Sequence, residues 1–188
     1  MAIERLPPQN IEAEQSVLGS LLIDRDAIVK VAPFLRAEDF YRETHAHIYQ
    51  AIFSLYERGE PADLVTVCDE LERLGLLEEV GGASYIISLA NIPPTAAHIE
   101  YYGRIVERFA TLRRLITAAG EIAALAYEAS EDIDEAIDRA EAIVLAVSQR
   151  RITQTLTPIR EILEEYYQRI GVLAQQRGEI LGVPTGFP

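Results

Sequence analysis

Few side chains in this sequence are suited to acid–base, nucleophilic or metal chemistry, and their spacing gathers none of them into a centre. His45 and His47 lie two positions apart on a predicted helix, so they project to different sides and cannot share a metal ion. Both read as surface or half-buried histidines. His98, near the start of a long predicted helix, has no cysteine or second histidine close to it in sequence. Cys68 is the sole cysteine, which removes any disulfide within the chain and any cysteine-based zinc site, and fits a reducing compartment. The acidic run Glu131–Glu135, continued by Asp138 and Glu141, lacks the glycine and the alternation of a calcium loop and reads as a solvated helix start. None of these residues is expected to bind a metal.

Phosphate chemistry would need a glycine-rich turn ending in Gly-Lys-Ser/Thr, whose amides and lysine hold the nucleotide. Gly182-Val-Pro-Thr-Gly186 has the glycines but no lysine after it, and the only lysine, Lys30, lies far upstream in a short amphipathic segment. No Ser-His-Asp or Cys-His arrangement stands out either, so this stretch of chain is expected to be catalytically inert and to carry no cofactor of its own. Arg104, Arg108, Arg113 and Arg114 lie among acids such as Glu100 and Glu107 on one long helix and read as surface or intersubunit ion pairs. A net charge of −13 and a pI near 4.7 argue against general binding to a phosphate backbone. A direct single-strand DNA binder would need basic, aromatic-lined grooves, so protein partners are expected instead.

The elements that carry these residues are helices. Ala, Ile, Leu and Glu dominate, aromatics make up 7% and Trp is absent, which favours an all-α fold. After the arm Met1–Gln9, stiffened by Pro7 and Pro8, Asn10 caps a first helix with Glu12 and Glu14 in its first turn and Val17, Leu18, Leu21 and Leu22 on its buried face. Asp24 or Asp26 starts a short helix that Pro33 stops, and Ala37–Phe40 forms a further turn. Glu43–Arg58 is a longer helix with Ile48, Ile52 and Leu55 on its core face, closed by Gly59 and Pro61. Asp63 caps the next, with the stripe Leu64, Val67, Leu71 and Leu74 and a stop at Gly75. A turn at Glu79–Gly82 then leads into a short helix around Tyr85, Ile86 and Leu89.

From Thr95 the pattern lengthens. About thirty proline-free residues run to Glu128, with Ile99, Tyr102, Val106, Phe109, Ile116 and Ala123 at heptad-like spacing. Asp132 and Glu135 then form a capping box for a partner helix through Ile137, Val144 and Val147. A two-helix hairpin has little core of its own, so a second copy is expected to complete it and to cover Leu115, Ile122 and Ala126. Thr157 and Pro158 open one more amphipathic helix with Ile159, Ile162, Leu163, Tyr166, Ile170 and Leu173 on a single stripe. The expected organisation is a helical bundle over 1–94, a dimerisation hairpin over 95–150, a linker with its docking helix over 151–181, and a short tail over 182–188. No uncharged run is long enough to cross a bilayer, and no signal sequence is visible, so a cytoplasmic location is expected.

Several stretches, in order, resemble the N-terminal part of the bacterial replicative DNA helicases of the DnaB type. They are Leu6-Pro-Pro-Gln-Asn-Ile-Glu-Ala-Glu-Gln-Ser-Val-Leu-Gly19, Glu38-Asp-Phe-Tyr41, His45–Tyr49 and Gly59-Glu-Pro-Ala-Asp-Leu-Val-Thr66. Gly81-Gly-Ala-Ser-Tyr85, Pro94-Thr-Ala-Ala97, Glu100-Tyr-Tyr102 and Gly182-Val-Pro-Thr-Gly-Phe187 complete the series, which spans essentially the whole chain. The resemblance implies a helical bundle followed by a hairpin that pairs subunits, with three dimers forming a collar above a hexameric ring of RecA-like ATPase domains. It implies Tyr102, Val106, Phe109, Ile137 and Val144 at the dimerisation hairpin, and Ile159, Ile162, Tyr166 and Ile170 on a linker helix that docks on a neighbouring motor domain.

The same resemblance implies that the C-terminal helical domain of primase is the heterologous partner, through Glu12, Tyr85, Ile116 and Ile122, with a helicase loader as a further candidate. Ordinary core packing is the competing reading for Tyr85, Ile116 and Ile122, and a helix-dipole acid for Glu12. The motor domain, with ATP, Mg2+, 5′-to-3′ strand separation and most DNA contacts, is expected beyond residue 188, because the sequence stops before a phosphate-binding loop. The alternative function is a free-standing helical adaptor or regulator that joins helicase rings.

Overall fold

The structure, a computed structural model, describes residues 6–93, 95–127, 133–149 and Tyr167. Among these, seven α-helices and three short 3-10 turns account for all regular structure, and there is no strand. The helices are α1 (Ile11–Ile23), α2 (Ile28–Val31), α3 (Glu43–Glu57), α4 (Leu64–Arg73), α5 (Gly82–Ala90), α6 (Ile99–Tyr127) and α7 (Ile133–Gln149). The chain divides into two compact units, Met1–Thr153 and Gln154–Pro188. In the second, Tyr167 alone is described, helical and exposed. The linker positions Ile159, Ile162, Tyr166 and Ile170, the tail 182–188 and Asp132 lie outside the described residues.

Local chemistry places the helix ends where the sequence predicts them. Asn10 Oδ1 accepts a hydrogen bond from the Ala13 amide at 2.9 Å, which satisfies a donor that the first turn of α1 leaves open. Asp63 caps α4 by accepting from the amides of Val65 and Thr66, and Thr66 Oγ1 accepts from the Asp63 amide in return. At Gly81, φ is +98°, a left-handed conformation that glycine adopts without the Cβ clash of other residues, and α5 starts immediately after it.

The first helix is the centre of the bundle. It packs against α3, α5 and α6, so it buries residues on more than one side: Val17, Leu18 and Leu21 have no exposed surface. Around them lie Ile48 and Ile52 of α3, Leu71 of α4, Ile86 and Leu89 of α5 and Ile99 of α6. Gly19 lets α1 approach the end of α5 closely. A Cβ there would collide with the Leu89 carbonyl oxygen and lie 2.6 Å from Pro93 Cδ, so any larger residue would force α1 away from α5.

The long helix α6 serves two structures at once. Its first half closes the bundle with Ile99, Gly103, Val106 and Ala110, and its second half pairs with α7, burying Ala118 and Leu125. Bundle and hairpin are therefore continuous through one helix within the first compact unit. Among the described residues, no helix is long and apolar enough to cross a membrane.

Candidate functional site

Two polar clusters tie the N-terminal bundle together, and both involve residues from distant parts of the chain. In the first, α1 aims Glu14 inward. Its Oε1 accepts from the Tyr41 amide at 2.7 Å, and its Oε2 accepts from the Arg42 amide at 3.4 Å and faces His45 Nδ1 at 2.7 Å. The carboxylate thus binds backbone donors at the entry to α3, where the helix dipole favours negative charge. His45 is 0% exposed and uses both ring nitrogens, because Nε2 lies 2.7 Å from the Tyr85 hydroxyl on α5. Gln15 Nε2 donates to the same hydroxyl at 3.3 Å, and the His45 and Tyr85 rings lie in near-parallel planes with centres 6.1 Å apart.

This arrangement corrects two expectations. His45 is a fully buried histidine, and Glu14 does more than favour a helix dipole at the surface, because α3 and α5 close over the inner side of α1. His47 matches its expected half-buried state, with Nδ1 3.8 Å from Glu79. Among the described residues, no group of His, Cys, Asp and Glu is arranged to hold a metal ion.

The second cluster clamps α6 onto the bundle. Arg114 Nη1 pairs with Asp39 Oδ1, while Arg113 donates to the Pro8 carbonyl at 2.9 Å and to the Asp39 carbonyl at 2.6 Å. The Arg113 guanidinium also lies 5.6 Å from the centre of the Tyr41 ring. These two arginines are therefore engaged within their own subunit. Arg104 is similarly occupied, with Glu107 at 3.1 Å and the Phe34 ring 3.7 Å away.

The predicted partner-facing residues separate by environment. Glu12 is exposed in the first turn of α1, Ile116 is 58% exposed on α6, and Tyr85 is half-buried with its hydroxyl bonded inward. Ile122 is half-buried beside the hairpin seam. Of the five hairpin positions, Val106 is turned into its own bundle core and Tyr102 packs against that core, because this part of α6 is a bundle helix. Phe109 is half-buried, whereas Ile137 and Val144 stand about half exposed on α7. Leu112, Leu115 and Leu145 extend the exposed apolar surface of the hairpin. An open groove of about 690 Å³ runs between α6 and α7, lined by Ala110, Arg113, Ala118, Ala142, Ile143 and Val147 among others.

The stretch that forms the bundle, up to the first half of α6, matches a known family model. Residues 6–108 fit the DnaB-like helicase N terminal domain. The chain belongs to that family. The DnaB-type chain is 46% identical over 184 residues to the replicative DNA helicase DnaC of Bacillus subtilis, and 47% identical over the same length to the replicative DNA helicase DnaB of Geobacillus stearothermophilus. In both cases 98% of this chain aligns, but it spans only 40% of the relative. Among solved structures, the N-terminal domain of DnaB helicase from Mycobacterium tuberculosis superimposes with a TM-score of 0.72 at 48% identity, over 76% of this chain and 99% of that one. A DnaB-like replicative helicase, studied for its interactions with primase, shares the fold with a TM-score of 0.66 at 24% identity, over 95% of this chain and 38% of that one.

Glu14, His45 and Gln15 carry no mark of their role in the DnaB-type sequence. Glu14 and His45 are 31 residues apart on different helices, and only the packing of α1 against α3 makes them neighbours. The pairing of Arg114 with Asp39, 75 positions away, is equally non-local.

Proposed function

We propose that this chain is the non-catalytic N-terminal part of a bacterial, cytoplasmic replicative DNA helicase, where it joins subunits into a collar and docks primase. Family membership over residues 6–108 sets the context. The observation that carries the assembly role is the apolar face left uncovered on the hairpin: Leu112, Leu115 and Ile116 on α6, and Ile137, Val144 and Leu145 on α7, are each 41–58% exposed. Scattered apolar residues are normal on a surface, but six on one antiparallel pair, with alanine-rich packing between its helices, form a face suited to a second hairpin. Burying the exposed part of each is worth about 1 kcal/mol by area, so two such faces supply a useful fraction of a dimer's association free energy.

In the full-length protein, ATP, Mg2+ and most DNA contacts belong to a motor domain, and the collar contributes assembly and recruitment. The net charge of −13 supports a protein-binding collar over a DNA-binding one. Light scattering tests the assembly role: the chain should show concentration-dependent dimers, and Ile137→Asp with Val144→Asp should render it monomeric with unchanged helical circular dichroism. A chain that stays monomeric at high concentration and fails to bind the helical C-terminal domain of its primase sinks both roles.

A further inference from the structure

The buried cluster under Tyr85 constrains which hydrogen that residue can offer to the outside. Glu14 Oε2 is an acceptor already receiving the Arg42 amide, so the neighbouring His45 Nδ1 must be the protonated nitrogen. A neutral imidazole protonated at Nδ1 has a bare Nε2, to which the Tyr85 hydroxyl 2.7 Å away can donate its proton. Gln15 Nε2 then donates to the same oxygen at 3.3 Å, so the hydrogen bonds from Gln15 through Tyr85 and His45 to Glu14 run in one direction. The hydroxyl is held in place as well as oriented. The Tyr85 and His45 rings lie in near-parallel planes joined end to end by the bond from the hydroxyl to Nε2, and the Tyr85 Cβ sits against the left-handed turn at Gly81, where an added methyl would approach to 3.1 Å.

We propose that Glu14 and His45 are positioning residues that turn the Tyr85 proton inward, so that Tyr85 presents an acceptor to a partner and selects a donor such as a guanidinium or amide N–H. This rests on the reading of Tyr85 as a primase-docking residue. Glu14 and His45 touch no partner themselves, because both are buried beneath α1 and α3. Replacing Glu14 with Gln tests the relay with little change of shape. With its oxygen on the Tyr41 amide, the new side chain presents N–H to His45 Nδ1, at the cost of the long Arg42 bond, which moves the proton to Nε2 and releases the Tyr85 proton outward.

Nitrogen-15 NMR of the whole 188-residue chain reads the tautomer directly. A protonated Nδ1 with bare Nε2 in the wild type, inverted in Glu14→Gln, is expected; a protonated Nε2 in the wild type overturns the proposal, even where the variant fails to fold. Binding to the helical C-terminal domain of the cognate primase gives the second readout. Tyr85→Phe should weaken it about five- to tenfold, the loss of one hydrogen bond. Glu14→Gln should weaken it similarly in the wild-type background and have no further effect on top of Tyr85→Phe. Equal losses in both backgrounds overturn the relay while leaving docking at Tyr85 intact. An unchanged affinity in Tyr85→Phe instead removes Tyr85 from the docking surface, and the relay with it.

Discussion

Glu12 and Glu14 are the same residue type, two positions apart in the first turn of one helix, and truncating each to alanine should have very different costs. Glu12 is exposed, so Glu12→Ala removes only a helix-dipole interaction worth about 0.3–1 kcal/mol. Glu14 is 1% exposed, and its carboxylate takes the Tyr41 amide and His45 Nδ1 at 2.7 Å each. Glu14→Ala leaves these two donors, and the more distant Arg42 amide, without their acceptor. An unsatisfied buried donor costs about 1–3 kcal/mol, and the bonds lost here are charge-assisted, so the total should be about 3–5 kcal/mol. That is a large share of the stability of a domain this size, typically about 5–15 kcal/mol. Urea unfolding followed by circular dichroism measures both variants against the wild type. A Glu14→Ala cost below about 1.5 kcal/mol, or one no larger than that of Glu12→Ala, would refute the role assigned to the buried carboxylate.

Other consequences follow from the packing and from one ion cluster. Gly19→Val should destabilise the bundle by at least about 2–3 kcal/mol, because its Cβ meets the Leu89 carbonyl and Pro93; a variant with wild-type urea midpoint would show that α1 and α5 can separate freely. Glu70 is clasped by Arg73, with bonds of 2.8 and 3.0 Å, and by Arg58 at 3.0 and 3.1 Å, which together pull its carboxyl from 4.5 down to about 2. Since the folded carboxyl is the stronger acid, its contribution is fully present above pH 4.5 and is lost as the pH falls through about 2. Thermal unfolding should therefore show Glu70→Gln less stable than wild type at pH 7, with the gap closing toward pH 2; a pH-independent gap would contradict the ion cluster as its source.

Sequence alone determined the helical class, the caps and stops and the family, because those properties are local. Asn10, Asp63 and Gly75 act within a few residues of themselves, and the apolar spacing of α3 and α4 records which side of each helix is buried. The ordered motifs from Leu6 onward likewise needed no coordinates to point to the DnaB type, and the family match over residues 6–108 agrees with them.

Tertiary structure decided what each polar or apolar residue does. Periodicity put Val106 on a heptad-like seam, but the seam runs from bundle to hairpin, and only packing shows that Val106 is spent on the bundle while Ile137 and Val144 stay uncovered. Glu12 and Glu14 look alike in sequence, and His45 looks like His47. Their difference comes from α3 and α5 closing over one side of α1, which brings residues 31 and 40 positions apart within hydrogen-bond reach and turns an ordinary first-turn acid into the anchor of a buried hydrogen-bond chain to Tyr85.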